Sequence, residues 1–221
     1  MSFFEFDRVS FETEDKKIIK DMSFEVKKGD YISIKGPSGS GKSTLLRLAC
    51  NLISPSSGKI IYKDRDYLEY KPEDLRKDIL YSSQSSYLFG KKVSENISYL
   101  YKLRNLEVDK KRVDYLFDRF KMSTKFLDKD VDDLSGGERQ RISLIRSLIF
   151  LPEIILLDEV TSALDIDNKN LVREIIRDLN KDGLTVLSIS HDVEERKEYN
   201  KILVVEDGKL ASFKEVGNEH N

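Results

Sequence analysis

Residues 36–44 read GPSGSGKST, directly after the apolar run YISIK and directly before the helical pattern LLRLACNLI. A strand, a glycine-rich turn and a helix in that order constrain the fold more than any other stretch of the chain. The pattern G-x-x-x-x-G-K-[ST] is built for phosphate: Gly39 and Gly41 let the backbone curl until its N–H groups converge, and the following helix start favours negative charge. Lys42 is placed to reach the β and γ phosphates, and the Ser43 hydroxyl to ligate Mg²⁺. The expected nucleotide contacts are therefore Gly36, Pro37, Ser38, Gly39, Ser40, Gly41, Lys42, Ser43 and Thr44. Four fixed positions recur by chance in roughly one chain of this length in a hundred, and the strand and helix on either side lower that further. A dinucleotide site is disfavoured, because Thr44 stands where G-x-G-x-x-G needs its third glycine.

Further apolar runs rich in β-branched residues occur at 79–82, 154–157, 185–190 and 202–205, and such continuous runs suit strands buried on both faces. Helical faces lie between several of them, one carrying Leu171, Val172, Ile175, Ile176 and Leu179, another Val113, Leu116, Phe117 and Phe120. Strands alternating with helices predict an α/β fold with a largely parallel sheet. The alternating N-terminus MSFFEFDRVSF reads as a strand, and Asp207-Gly208 as the turn of a closing hairpin. Residues 86–150 break the alternation and are expected to form a helical subdomain within a core of about 1–85 and 151–221. The run DKKRVD at 109–114 is most simply a solvated helix start.

In IILLDEVTSALD, Asp158 ends a buried strand, where open α/β sheets bind ligands. It can hold Mg²⁺ through water, and Glu159, next in the chain, can orient or deprotonate an attacking water. A second glycine stretch, LSGGERQRISL at 134–144, opens a helix. Ser135 and Glu138 have the spacing of a capping box. Capping leaves Gly136 and Gly137 unexplained, since glycine costs a helix about 1 kcal/mol relative to alanine. Bare glycine backbone is useful chiefly where a ligand approaches closely.

The charge balance, 38 basic against 40 acidic residues, argues against nucleic acid as a partner. The single cysteine, Cys50, rules out an internal disulfide and reads as core. The N-terminus lacks a signal-peptide pattern, and no apolar window approaches the length needed to span a bilayer, so a membrane role is expected to run through a partner.

The order P-loop, LSGGERQ, LLDE, SALD, then Ser190-His191-Asp192 resembles the nucleotide-binding subunit of ATP-binding cassette (ABC) transporters over almost the whole chain. The resemblance implies a P-loop NTPase fold with a RecA-like core, an antiparallel β N-terminal part and a helical subdomain. It makes Gln84 the Q-loop glutamine, a metal ligand, His191 the switch histidine at the γ-phosphate, and Asp165 the D-loop aspartate at a dimer seam. It further implies a head-to-tail homodimer in which Ser135, Gly136, Gly137 and Glu138 of one copy cover the ATP of the other. The cofactors implied are ATP and Mg²⁺, and the partner an integral-membrane subunit, with the chain peripheral on the cytoplasmic side and making no contact with the transported substrate.

One departure concerns adenine: members usually carry an aromatic where VSFET has Thr13, leaving Phe11, another ring or loose base contacts as alternatives. NLISPSSGKI, SYLFGKKVSENI, SLIRSL and LLDEVTSALD resemble more narrowly the ATPase subunits of Fet-type iron exporters. Lipoprotein-release or macrolide exporters, importers, and soluble ABC ATPases of iron–sulfur assembly are the competing branches. Tyr87, Leu88 and Phe89 are expected to form an exposed apolar cluster that meets the membrane subunit.

Overall fold

The computed structural model describes residues 2–83, 87–162, 164–190 and 198–216. They form two compact units. The first comprises residues 1–81, 152–159 and 179–221, the second 82–151 and 160–178.

The first unit opens with β1 (Phe4–Glu12) and β2 (Lys17–Val26), paired antiparallel with Phe6 opposite Phe24. β3 (Tyr31–Lys35) follows, then α1 (Lys42–Ala49), β4 (Ser57–Tyr62), β5 (Arg65–Asp66), α2 (Pro72–Asp78) and β6 (Ile79–Ser82). The chain returns as β7 (Ile154–Asp158), β8 (Thr185–Ile189), β9 (Lys201–Glu206) and β10 (Lys209–Glu215). Two sheets result, one of order β2-β1-β4-β5 and one of order β10-β9-β3-β8-β7-β6.

In the second sheet β3 runs parallel to β8 and β9, and β7 parallel to β8. β7 and β8 are buried along their whole length, which is why their sequences are unbroken apolar runs rather than alternating ones. The buried ion pair of Lys201 with Asp30, 2.7 Å, fixes the start of β9 beside β3. β9 and β10 form the expected hairpin, with Asp207 and Gly208 both at positive φ. The LLRLACNLI pattern ends as helix earlier than its apolar residues suggest. α1 stops at Ala49, Asn51 takes φ 52°, and Leu52 is exposed.

The second unit contains α3 (Val93–Leu103), α4 (Lys110–Arg119), α5 (Gly136–Leu148) and α6 (Ile166–Lys181), which begins there. Its described residues hold one isolated bridge, Lys92 with Asp130. Val113, Leu116, Phe117 and Phe120 are buried as the helical period requires. Asp109 caps α4, its side chain accepting the amide of Arg112. Arg112 in turn donates to the carbonyls of Leu148 and Ile149, at the end of α5, where a cation suits the helix dipole. Residues 160–178, expected with the core, group here instead. Asp178 pairs with Arg119 at 3.0 Å, and Leu164 lies against Gly137.

The expected apolar cluster divides. Tyr87 is 73% exposed, but Leu88 is buried at 6% and Phe89 packs edge-on against Tyr99. Three adjacent apolar residues cannot share one environment here, because Asn96 holds the Phe89 backbone from both sides, accepting its N–H and donating to its carbonyl.

Candidate functional site

The register of the parallel strands assembles the site. Ile34 on β3 and Asp158 on β7 both pair with Ile189 on β8, so the three strands end level and the loops after them meet at one edge. Beyond β3, Gly36 takes φ 143°, and a Cβ there would collide with the Val205 carbonyl oxygen. Gly41 takes φ 104°, and a Cβ there would lie 2.8 Å from the Ile19 side chain. As N-cap of α1, Gly41 offers no side chain to the first helical amides, which leaves those donors for an anion. The β9–β10 hairpin braces this loop from behind, Gly208 donating to the Ser40 carbonyl and accepting from Lys20.

A cleft of about 340 Å³ lies over the loop, lined by Ser38, Gly39, Gly41, Lys42, Ser43, Thr44, Glu159, Lys16 and Ile18. Gly36, Pro37 and Ser40 stand behind this lining. The Lys42 ammonium donates to the carbonyls of Gly36 and Pro37, at 2.9 and 2.8 Å, and is held across the loop. Ser43 Oγ lies 3.1 Å from Asp158 Oδ1. Two hard oxygen donors at one point fit Mg²⁺, which takes few protein ligands and keeps several waters.

Asp158 is nearly buried, and the Tyr81 hydroxyl sits 2.7 Å from its Oδ2. Burial, then the bond to Asp158, pushes the Tyr81 phenol up to about 12. Glu159 adopts φ 53°, a left-handed conformation that costs a non-glycine residue about 1–3 kcal/mol. Its amide still donates to the Ile189 carbonyl at 3.0 Å, so the turn that presents the carboxylate is pinned at its first atom.

Among the described residues no ring lines the cleft. Thr13 closes the β1–β2 turn through the Lys16 carbonyl, and Phe11 packs on the core. Lys16 and Ile18, the latter beside Gly41, also line the cleft, and sequence reasoning missed both. Both sit in KKII, where four successive residues carry no alternation to say which face each takes.

In the second unit the capping box of α5 is formed as expected. Ser135 Oγ accepts the Glu138 amide at 3.2 Å, and Glu138 accepts the Ser135 amide at 2.8 Å. The bond from that backbone amide holds the Glu138 carboxyl below its ordinary value. Among the described residues nothing demands glycine at the next two positions. A Cβ on Gly136 would meet nothing within 4 Å, and one on Gly137 only Leu164, at 3.7 Å. Asp165 heads α6, accepting the backbone amide of Asn168 at 2.9 Å, and this bond lowers its carboxyl pKa. Gln84 and His191 lie outside the described residues.

The ABC transporter family matches residues 19–162. The probable iron export ATP-binding protein FetA of Escherichia coli is 39% identical over 90% of this chain and 88% of its own length. The energy-coupling factor transporter ATP-binding protein EcfA1 of Lacticaseibacillus paracasei is 36% identical over 88% of this chain and 72% of its own. Among solved structures, the dimeric post-hydrolysis state of the ATP-binding cassette MJ0796 bound to ADP and Pi superposes with a TM-score of 0.86. It covers 98% of this chain and all of that one at 26% identity. No helix among the described residues is long and apolar enough to cross a membrane. With its phosphate loop, paired acidic residues and capped LSGGE helix, the chain belongs to the ABC transporter family, as an ATP-binding and ATP-hydrolysing cassette.

Proposed function

We propose that two copies of the chain associate head to tail around ATP and power a separate integral-membrane subunit in iron export, attached peripherally on the cytoplasmic side. The observation that carries the pairing is the room at Gly136 and Gly137, helix-start positions where a side chain would meet little of the described protomer. Their amides, with the Ser135 hydroxyl, would cover the γ-phosphate held by the P-loop of the other copy. Asp165 would lie at the seam. MJ0796, similar over its entire length, was solved as a dimer bound to ADP and Pi, which supports association of two copies.

Each pocket works by electrostatics more than by covalent chemistry. Lys42 and the loop amides neutralise charge developing on the γ-phosphoryl group, while Lys16 and Ile18 flank the nucleoside with aliphatic surface. Ser43 and Asp158, with Gln84, would hold Mg²⁺, which when bound supplies further neutralisation of the phosphate oxygens. Glu159 orients the attacking water and takes its proton. His191 and Gln84 report on the phosphate and the metal. Glu159→Gln is expected to lower turnover by about 10² to 10⁴-fold, the usual worth of general-base catalysis, with ATP binding retained. Phosphate release and equilibrium binding measure the two separately, and turnover at the parent rate removes Glu159 from this role.

Mixing settles the pairing. Lys42→Ala and a Gly136→Ala, Gly137→Ala double variant are each expected to lose about 10²-fold or more in turnover, yet mixed pairs regain one intact pocket. Verified mixed pairs without activity would end the head-to-tail reading.

Iron export is favoured by the relative FetA, which matches over more of its own length than the energy-coupling factor relative, 88% against 72%. The cargo would be handled by the membrane subunit, which Tyr87 is exposed to meet. Co-reconstituted with the membrane protein that co-purifies with it, the chain should drive ATP-dependent iron movement. Transport of another solute, or soluble partners alone, would redirect the assignment. Tyr87→Asp should abolish co-purification.

A further inference from the structure

Asp158 meets Ser43 through one carboxylate oxygen, and its other oxygen is also engaged. The Tyr81 hydroxyl, near the end of β6, lies 2.7 Å from Oδ2, while Ser43 Oγ lies 3.1 Å from Oδ1. The direction of the Tyr81 bond is fixed by its partner: a carboxylate only accepts, so the single phenolic proton goes to Asp158 Oδ2. The carboxylate torsion is intrinsically broad, so anchoring one oxygen determines where the other points. Asp158 is only 7% exposed, which leaves little bulk water to take over that anchor.

We infer that Tyr81 is a positioning residue for the metal site: its hydroxyl holds Asp158 Oδ2 so that Oδ1 faces Ser43 and the Mg²⁺ position. This rests on the proposed reading of Ser43 and Asp158. Tyr81 stands three positions before Gln84 in sequence. A hydrogen-bonding partner behind a metal ligand is worth 10–100-fold in metal affinity. Asp158 acts through water, which places the effect at about tenfold.

The test is a Mg²⁺ titration of equilibrium binding, using a fluorescent, non-hydrolysable ATP analogue and the full-length chain. Tyr81→Phe, which removes one oxygen atom, should raise the half-saturating Mg²⁺ concentration about tenfold while leaving metal-free analogue affinity unchanged. A merely structural tyrosine would lower the melting temperature without moving the Mg²⁺ midpoint. In an Asp158→Asn background, Tyr81→Phe should shift the midpoint by less than about twofold, the scatter of uncoupled pairs. Ser43→Ala separates the two levels of the argument. If it shifts the midpoint and Tyr81→Phe does not, the role given to Tyr81 is overturned. If neither shifts it, the metal assignment to Ser43 and Asp158 falls and the inference falls with it. An equal Tyr81→Phe shift with and without Asp158 also overturns it, because the hydroxyl would then act elsewhere.

Discussion

The chain uses glycine at the head of two helices, and the two uses are opposite. Before α1, Gly36 and Gly41 have φ values of 143° and 104°, and a Cβ on either would run into Val205 or Ile19. The fold itself requires them. At the start of α5, Gly136 and Gly137 have room for a side chain and no left-handed φ. The caps differ in the same sense: α1 starts on a residue with no side chain to offer, whereas α5 satisfies itself through Ser135 and Glu138. One helix start is shaped to receive an anion within its own protomer. The other is a finished helix whose glycines have space that their own protomer leaves unfilled.

The largest test of this contrast is Gly36→Ala. Left-handed strain of about 1–3 kcal/mol and overpacking against the Val205 carbonyl of about 1–3 kcal/mol add to a loss that consumes much of a typical domain's stability. Denaturant unfolding should show destabilisation of roughly 2–6 kcal/mol. A variant as stable as the parent would erase the difference between the two stretches.

Next in size is the Gly136→Ala, Gly137→Ala double variant, for which folding and function should move in opposite directions. Removing helix-start glycines is expected to stabilise the chain by about 0.5–1 kcal/mol. Losing close backbone approach to the γ-phosphate should cost about 10²-fold in steady-state phosphate release, the worth of one oxyanion-type donor. Stabilisation with unimpaired turnover would mean that these glycines serve nothing.

A smaller effect separates phosphate from base within the first site. Lys16 and Ile18 line the cleft beside the loop, and among the described residues no aromatic ring lines it. Ile18→Tyr would add a stacking surface worth about 1 kcal/mol, or roughly fivefold tighter ATP binding. Inorganic triphosphate should bind unchanged. If triphosphate tightens equally, the gain comes from the phosphate side and the base wall lies elsewhere.

What the sequence made legible was whatever its local pattern determines. The P-loop, the buried strands ending at Asp158 and Ile189, and the Ser135–Glu138 cap are all short-range grammar, and the structure forms each of them. Strands β4 and β5 escaped notice because three apolar residues after SPSSGK carry no usable period. Tyr81 escaped for a different reason: its value lies in a hydrogen bond across 77 positions of chain, created by sheet order. Leu88 shows the converse, since an apolar run does not say which of its members the backbone turns inward.

The smallest effect concerns the cap that holds the second glycine pair in place. Glu138 accepts the Ser135 amide, and that bond depresses its carboxyl pKa below the ordinary 4.5. A depressed folded value means that the cap's contribution is complete above the unfolded value and is lost as pH falls through the folded one. Glu138→Gln keeps an oxygen acceptor for the amide but removes the charge that favours a helix N-terminus, a loss of about 0.3–1 kcal/mol. Urea unfolding of the two proteins should differ by that amount at pH 6, and the gap should close as pH drops below about 4.5, with the parent losing stability and the glutamine variant unaffected at this position. General acid destabilisation acts on both chains and cancels in the difference. A gap independent of pH would place the stabilisation in shape rather than charge, and the amides of Gly136 and Gly137 would then owe their orientation to hydrogen bonding alone.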